Sequence, residues 1–317
     1  MSTTNDPIVI VLTCDDRYVR HAAATMVSIV KNSKRYFNFY LLDCGITLEN
    51  LEKLKQLDLA GNTLQVIKPK LLEVFEKFPL PSHFSPAIFY RVAIPELFPE
   101  MNKAIYMDSD IIVTGDIGPL WDECLENKLL GIVYSENQFL PSAALINYKK
   151  KIGLKQELRY FYDGMMLINL DALRKENIFQ KVLSYIPSCK HSLICPEQDI
   201  LNILLDRNKL LELNAGYNFT PFSPLSSNLK SIKPICLHYS IYKPWCYPKF
   251  IVNLLPLQLF RAMRPYYFYV QQTPWSNEIN KDARLYFVVK ALWKLTFQPL
   301  ERFLKRYFRI KPKRLHS

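Results

Sequence analysis

The chain has little glycine and no long apolar run, and these absences narrow the classes of protein to which it can belong. Glycine accounts for only 8 of the 317 residues, and neither a low-complexity tract nor a repeat of fixed period is visible, which argues against a repeat architecture. No stretch reaches the roughly 18 uninterrupted apolar residues that a membrane-spanning helix needs. Residues 1–7 are polar and lack the basic flank and apolar run of a secretory signal, so we expect no signal peptide.

The cysteines lack the pattern of a disulfide framework or a zinc site. There are seven, an odd number, and no Cys-x-x-Cys pair occurs among them. This usage fits reduced thiols in a cytosolic protein. The rest of the composition, with 49% hydrophobic and 13% aromatic residues, is ample for a sizeable core, and the length suits one large α/β domain with an appendage or two small domains.

The first three quarters of the chain have no net formal charge. Residues 1–242 contain 26 basic and 26 acidic side chains, whereas residues 243–317 contain 15 basic and 3 acidic ones. A neutral body with a basic end is not typical of a general nucleic-acid-binding protein, so no nucleic-acid partner is expected.

The basic end also has the spacing of an amphipathic helix. Over residues 283–309, apolar and aromatic side chains recur at helical intervals between lysines and arginines. Basic amphipathic helices with aromatic residues lie on anionic membrane surfaces. We therefore predict a main domain over residues 1–247 and a basic, aromatic, helical membrane-association region over residues 248–317. An ordinary solvated helix with one face in the core remains the alternative.

Short apolar segments alternate with segments of helical periodicity through the first 245 residues. This alternation predicts an α/β fold with a largely parallel sheet, flanked by helices and joined by right-handed crossovers. In such sheets ligands bind beyond the carboxyl ends of the strands, and Asp15 and Asp16 directly follow the first strand. The predicted strands are residues 8–13, 37–42, 64–67, 103–107, 129–134, 165–170 and 235–239, and the predicted helices are residues 21–32, 48–59, 84–97 and 197–205.

Two aspartates, Asp108 and Asp110, follow the fourth predicted strand and are separated by Ser109. Alternate residues of a strand face the same way, so both carboxylates can converge on one cation. Mg²⁺ and Mn²⁺ prefer such oxygen ligands and keep positions free for phosphate oxygens. Apolar segments flank the pair on both sides, and a bound cation would offset the cost of burying the two charges. The tripeptide alone is also typical of a solvated strand end.

Seven short blocks lie in order along the first three quarters of the chain. They are residues 13–18, 89–91, 106–113, 119–122, 163–170, 197–202 and 238–245. Their order resembles that of bacterial glycosyltransferases of family 8, especially those that add galactose to lipooligosaccharide, and the similarity runs from about Ile8 to Trp245. The resemblance implies a GT-A fold, a Rossmann-like α/β domain that binds a UDP-sugar and Mn²⁺ or Mg²⁺ and transfers the sugar with retention of configuration.

The resemblance also implies roles for individual residues. It implies that Asp108, Asp110 and His238 bind the metal, with Ser109 between the two aspartates in the diphosphate site. For the nucleotide, it implies that Asp15 lies beside the uracil and ribose, with Asp16 next to it, and that Lys243 contacts the diphosphate. For the sugar, it implies that Arg91 lies near the donor sugar and that Gln198 faces the anomeric carbon, with Asp199 in the same sugar site. Glu197 and Asp163 are the candidate nucleophiles. Plain structural explanations stay open for several of them: a turn at Asp15 and Asp16, a half-buried structural histidine at His238, and the acidic first turn of a helix at residues 197–199.

The chain departs from the family pattern around the sugar site. Tyr162 replaces an asparagine expected to contact the donor sugar, Ser135 and Glu197 replace aspartates, and the loop from His238 to Lys243 is shorter and lacks glycine. These departures favour a changed donor or acceptor over a loss of activity.

The resemblance implies galactose or glucose transfer to a lipid-linked oligosaccharide of the lipopolysaccharide type. It places the protein in the cytoplasm, peripheral on the inner face of the bacterial cytoplasmic membrane. The alternatives are an inactive membrane-associated sugar-binding or scaffold protein, and a sugar-phosphate nucleotidyltransferase. The second would favour a glycine-rich loop after the first strand, and residues 13–18 contain no glycine.

Overall fold

A computed structural model describes residues 6–70, 75, 78, 86–134, 142–189, 193–221, 232–240, 243–249, 252, 257–281 and 283. The strands are β1 (Ile8–Cys14), β2 (Phe37–Asp43), β3 (Thr63–Ile67), β4 (Lys103–Asp108), β5 (Ile111–Val113), β6 (Leu130–Tyr134), β7 (Phe161–Asn169), β8 (Leu210–Glu212) and β9 (Cys236–His238). The α-helices are α1 (Val19–Asn32), α2 (Leu48–Lys55), α3 (Tyr90–Leu97), α4 (Gly118–Asp122), α5 (Ser142–Ile152), α6 (Leu170–Lys175), α7 (Ile178–Ser188), α8 (Pro196–Leu204) and α9 (Leu257–Val270).

Seven of these strands form one mixed sheet in the order β3-β2-β1-β4-β7-β6-β8. Strands β3, β2, β1 and β4 are parallel to one another, β7 runs antiparallel to both β4 and β6, and β8 is parallel to β6. The remaining two strands, β5 and β9, pair antiparallel in a small second sheet. The mainly parallel α/β architecture predicted from the sequence is confirmed.

Side chains that alternate along β1 divide the core into two layers. Ile8, Ile10 and Leu12 pack on the side of the sheet covered by α1 and α9, whereas Val11 packs on the side covered by α3, α7 and α8. The central parallel strands β1 and β4 are largely buried on both faces, as expected where helices cover a sheet on both sides. Among the described residues, no helix is both long enough and apolar enough to cross a membrane.

The structure corrects one strand prediction that bears on function. Strand β7 begins at Phe161, four residues before the predicted start, and Leu170 begins helix α6 instead of ending the strand. Asp163 and Gly164 therefore lie inside a buried strand and not in a loop before it. Aspartate and glycine are rare in strands, so residue propensity alone does not predict this extension. Pairing of β7 with the neighbouring strands outweighs the unfavourable propensity.

The C-terminal region is described only in part. Helix α9 lies within residues 248–317 and packs against α1, with Met263, Tyr266 and Val270 in the same core layer as the sheet. The predicted amphipathic helix over residues 283–309 lies, apart from residue 283, outside the described residues, as do Ser135 and the first two residues of the predicted helix 84–97. The division of the chain at residue 247 stays a prediction.

Candidate active site

The turn between β4 and β5 carries the acidic pair at the carboxyl edge of the parallel strands. Asp108 is the last residue of β4, and Ser109 and Asp110 form the turn into β5. The Ser109 hydroxyl donates to the Thr13 carbonyl at 2.9 Å, which joins the turn to the end of β1. The buried hydroxyl of Thr25 on α1 lies 3.1 Å from the Ser109 carbonyl and 2.7 Å from that of Ile111. The turn is therefore held by its neighbours on two sides.

Pairing of β5 with β9 brings His238 to this turn, although 127 positions separate it from its strand partner Ile111. Nε2 of His238 lies 3.1 Å from Oδ1 of Asp110 and 3.7 Å from Oδ2 of Asp108. One ligand atom from each of the three residues lies within 4.8 Å of the other two. The predicted metal ligands are thus brought together in the geometry of a cation site.

Asn218, which the sequence did not single out, orients the histidine. Its side-chain oxygen lies 2.8 Å from Nδ1 of His238, and the asparagine is fully buried at the end of a 3-10 turn over Ala215–Asn218. An oxygen acceptor at Nδ1 holds the proton there and leaves the Nε2 lone pair facing the aspartates. A ligating histidine needs this arrangement. No pattern around residue 218 signals this role, because the contact depends on the folded path of the chain.

Gly164 on β7 forms the floor beneath the ligands. A Cβ atom at this position would lie 2.4 Å from Cε1 of His238 and 2.7 Å from Oδ2 of Asp108. Only a residue without a side chain therefore lets the histidine and the aspartate approach each other. The glycine lies in one of the seven blocks, but its contact with the ligands could not be inferred from the sequence.

Lys243 contacts the other side of Asp110. Its ammonium pairs with Oδ2 of Asp110 and lies 5.8 Å from the centre of the Tyr18 ring. Burial lowers the pKa of Lys243, but the carboxylate of Asp110 outweighs this effect, so its pKa is raised. The pKa of Asp110 is lowered despite burial, because the ammonium of Lys243 stabilises its charge. Both groups are therefore ionised at neutral pH.

Arg91, buried on α3, faces three carboxylates. Its guanidinium lies 2.8 Å from Asp108, 2.8 Å from Asp163 and 3.6 Å from Glu197. Burial raises the pKa of Asp163 to about 6 and that of Glu197 to about 8, although Arg91 opposes both shifts. Arg91 therefore links Asp108, at the end of β4, to the two buried carboxylates of β7 and α8.

Gln198 lies at the first turn of α8 with its amide fixed. Its Oε1 accepts from the backbone N–H of Asp163 at 3.2 Å, and its Nε2 donates to the Tyr160 hydroxyl at 2.7 Å. Gln198, Glu197 and Asp163 all line one cleft with the metal ligands. The structure therefore brings these three predicted sugar-site residues together.

Two predicted site residues are not brought into the cleft. Asp199 is fully buried, and its carboxylate accepts from the hydroxyls of Tyr148 and Tyr160 and from the backbone N–H groups of residues 194 and 195. Asp16 accepts from Thr47 and Asn50 at the start of α2. Both side chains are used in internal hydrogen bonds and are not among the described residues that line the cleft, and their roles beside the nucleotide and the sugar stay predictions. An acidic residue at a helix start or turn satisfies backbone donors as readily as it binds a substrate.

Asp15, by contrast, lies at the mouth of the cleft. Its carboxylate accepts from the backbone N–H of Arg17 at 3.0 Å and of Tyr18 at 3.2 Å, and it pairs with the Arg17 side chain at 2.7 Å. The first two contacts form the turn that leads into α1. Its expected contact with a nucleotide stays a prediction.

The cleft has a volume of about 580 Å³ and opens at the ends of β1 and β4. Such a volume is within the range of small-molecule sites. Besides the residues already described, Tyr162 lines it at the position where the family resemblance implies an asparagine. The cleft is thus acidic and cationic at its metal end and more apolar near Tyr162, Ala87 and Ile88.

Comparison with known sequences gives consistent matches. A family model described as "Glycosyl transferase family 8" matches residues 9–248. A protein of Haemophilus influenzae named "Putative glycosyltransferase" is 31% identical over 213 residues, which are 67% of this chain and 63% of that protein. The chain therefore spans less than two thirds of that relative. Lipopolysaccharide 1,2-glucosyltransferase of Escherichia coli K12 is 23% identical over 297 residues, which are 88% of this chain and 82% of that protein.

Solved structures resemble the fold over most of its length. An active-site mutant of LgtC matches with a TM-score of 0.68 and 25% identity, over 81% of this chain and 95% of that one. Galactosyltransferase LgtC in complex with donor and acceptor sugar analogs matches with a TM-score of 0.68 and 24% identity, over 86% of this chain and 100% of that one. The GT-A fold implied by the sequence blocks is confirmed.

Proposed function

The chain belongs to glycosyl transferase family 8, and from this premise we propose that it transfers a hexose from a UDP-sugar to a glycan acceptor with the help of a divalent cation. The observation that carries the proposal is the cluster of Asp108, Asp110 and His238 directly beside the ammonium of Lys243. A cation next to a lysine suits the diphosphate of a nucleotide-sugar, because both positive charges can contact its oxygens.

The donor set fits the cation. Oδ1 of Asp110 is buried and accepts no hydrogen bond within the described part of the chain. With its proton on Nδ1, His238 turns its Nε2 lone pair toward the position that the cation would take. Two carboxylates and one imidazole suit Mn²⁺ better than Mg²⁺, which prefers oxygen ligands and gives up its water reluctantly. We therefore propose Mn²⁺ as the preferred ion, with Mg²⁺ as the substitute.

The bound cation would neutralise negative charge on the UDP leaving group. Lys243 adds a second positive charge on the same side. Arg91 keeps Asp163 and Glu197 in place at the sugar end of the cleft. Gln198, with its amide held by Asp163 and Tyr160, presents a fixed polar group to the sugar.

Retention of configuration can proceed through a carboxylate nucleophile or through attack from the face that the leaving group departs from. An amide is a poor nucleophile, and Asp163 is engaged by the guanidinium of Arg91 at 2.8 Å. A carboxylate that shares its charge with a buried arginine is a weaker nucleophile. These contacts favour attack from the leaving group's own face.

A screen for UDP release tests the function. Wild-type protein with Mn²⁺ is offered UDP-galactose, UDP-glucose and their N-acetyl forms, with and without truncated lipopolysaccharide as acceptor. We expect one hexose donor to give Mn²⁺-stimulated UDP release that the acceptor increases further. A nucleotidyltransferase would instead form pyrophosphate from a nucleoside triphosphate. A scaffold protein would show no metal-dependent UDP binding by calorimetry.

The acceptor is proposed to be a lipid-linked oligosaccharide at the inner face of the cytoplasmic membrane. The basic, aromatic sequence of residues 283–309 supports this, as does the name of the Escherichia coli relative. If the tail binds membranes, glutamine at Lys290, Lys294, Arg302, Lys305, Arg306 and Arg309 should abolish partitioning onto anionic liposomes at low salt. Unchanged partitioning would contradict the membrane proposal and leave the transferase proposal untouched.

A further inference from the structure

Helix α9 contacts the loop that carries Lys243. We propose that Tyr266 and Tyr267 of this helix are positioning residues that hold Lys243 over Asp110 and thereby set the affinity of the site for a diphosphate. The proposal rests on the proposed function of Lys243. It extends the site to residues beyond position 248, where the match to the family model ends.

Tyr267 fixes the backbone of the loop. Its hydroxyl lies 2.7 Å from the Pro244 carbonyl and 2.5 Å from that of Tyr247, the two ends of the short turn that follows Lys243. The tyrosine is buried, so water does not compete for either carbonyl. This hydroxyl therefore holds the two ends of the turn together and fixes the backbone position of Lys243, which precedes the turn.

Tyr266 acts on the Lys243 side chain through the ring of Trp245, which lies in the same loop. The Trp245 ring stacks on His21 of α1 with the ring centres 3.8 Å apart, and it lies 5.0 Å from the Tyr266 ring. The Tyr266 hydroxyl is 2.8 Å from Nδ1 of His21, which joins the three rings into one cluster. The Lys243 ammonium lies 5.6 Å from the Trp245 ring, so the position of this ring bears directly on the lysine.

The helix is anchored to the body by contacts that do not involve the loop. Asn32 on α1 donates to the Tyr269 hydroxyl at 2.6 Å, and the Tyr239 hydroxyl donates to the Ala262 carbonyl at 2.7 Å. Just after the helix, the Trp275 indole donates to Asn50 on α2 at 2.8 Å. The helix is therefore attached to the body of the fold independently of the loop.

Support from outside the loop matters because the loop has little means of its own to bind phosphate. The segment from His238 to Lys243 contains no glycine, and glycine is the residue that most readily lets backbone N–H groups approach phosphate oxygens. The lysine side chain must then supply the contact, and its long, flexible stem gains from being held in place. Preorganisation of this kind raises affinity by lowering the entropy lost on binding.

Tyr267→Phe removes the hydroxyl and keeps the ring, and Tyr269→Phe is the matched control. Both changes delete one hydroxyl group of α9, but only the first hydroxyl contacts the turn after Lys243. We expect Tyr267→Phe to weaken UDP binding in saturating Mn²⁺ about tenfold by calorimetry, as for a lost buried hydrogen bond. Tyr269→Phe is expected to stay within about twofold, at a comparable melting temperature. Affinity for Mn²⁺ without nucleotide is expected not to weaken in either variant, because the three metal ligands are untouched.

Two further measurements separate positioning from general loosening. In a Lys243→Met background, adding Tyr267→Phe should cause no further loss of UDP affinity, because the tyrosine acts through the lysine. Acetylation of the Lys243 amine, followed by peptide mass spectrometry, should be severalfold faster in Tyr267→Phe than in wild type and unchanged in Tyr269→Phe. If Tyr267→Phe does not fold, Tyr266→Phe, which loses the His21 contact, is expected to show the same UDP and labelling pattern.

Equal UDP affinity and equal Lys243 labelling in wild type and Tyr267→Phe would overturn the inference, as would an equal loss in Tyr269→Phe. An additive loss in the Lys243→Met background would overturn it too. If wild-type protein binds no UDP with Mn²⁺, the proposed function fails and the claim about diphosphate affinity fails with it. The labelling comparison would still show whether Tyr267 holds the lysine.

Discussion

Asp110→Asn is expected to lower Mn²⁺-stimulated UDP release about a thousandfold or more, the largest effect of any single substitution at the site. The carboxylate joins the two positive elements of the site, since one oxygen faces His238 at 3.1 Å and the other pairs with Lys243. An amide of nearly the same shape removes its charge, so the cation loses a ligand and the lysine loses its counter-ion. The measurement is kcat/KM for UDP release as a function of Mn²⁺ concentration.

The matched control is Asp122→Asn. This carboxylate is 60% exposed, pairs with Arg35 at 3.3 Å and is not among the described residues that line the cleft. Exposed ion pairs contribute about 1 kcal/mol or less, so this variant should retain wild-type UDP release and stability. Near wild-type, metal-stimulated release by Asp110→Asn would show that the metal site has been assigned to the wrong residues.

Arg91→Met is expected to destabilise the folded protein by about 3–5 kcal/mol at pH 8, the cost of leaving buried carboxylates without their cation. The substitution keeps the apolar stem but removes the guanidinium that lies 2.8 Å from both Asp108 and Asp163. Urea denaturation in the presence of a metal chelator measures the effect, since a bound cation would otherwise replace part of the lost charge. Arg35→Met, which removes the arginine of an exposed pair, should cost about 1 kcal/mol or less.

The destabilisation should grow with pH. In the wild-type protein burial already raises the pKa of Glu197 to about 8 and that of Asp163 to about 6, against the opposing effect of Arg91. A carboxyl whose pKa is raised by folding contributes stability that is fully present below its unfolded value and is lost as pH rises through its folded value. Without Arg91 both values rise further. The two proteins lose stability with the same slope until the wild-type pKa is passed, so the extra loss in the variant should develop over the range from about pH 6, where Asp163 titrates in the wild type, to above about pH 8, where Glu197 does. A difference between variant and wild type that shrinks over this range would contradict the role given to Arg91.

The site residues that could be inferred from the sequence either follow an apolar strand or lie in one of the seven family blocks. Apolar strands ending in polar residues located the edge of the sheet where the cleft lies, and the block around Asp108 and the one beginning at His238 contain the three residues proposed to bind the metal. The same reasoning also predicts ligand contact at Asp16 and Asp199, which lie outside the lining of the cleft. Their positions in the pattern are those of ligand residues, but nearby backbone and hydroxyl donors satisfy their carboxylates.

The residues that sequence reasoning missed act through contacts between distant segments. Asn218 reaches His238 only because the chain passes from a 3-10 turn back to β9, and Gly164 is required by the close approach of two side chains from other strands. Tyr267 lies outside the matched family segment and resembles any other buried aromatic residue of a helix. Such roles depend on tertiary distance, which composition and periodicity do not contain.

The position of α9 in the chain has a consequence for biosynthesis. A polypeptide emerges from the ribosome from its N-terminus, and domains fold progressively as they appear. All three residues proposed to bind the metal have been made once residue 238 is joined, whereas the tyrosines proposed to hold Lys243 are added almost thirty residues later. On the proposed function, a nascent chain therefore acquires the residues of its cation cluster before it can hold the lysine for the diphosphate. Competence to bind the metal then precedes competence to bind the nucleotide.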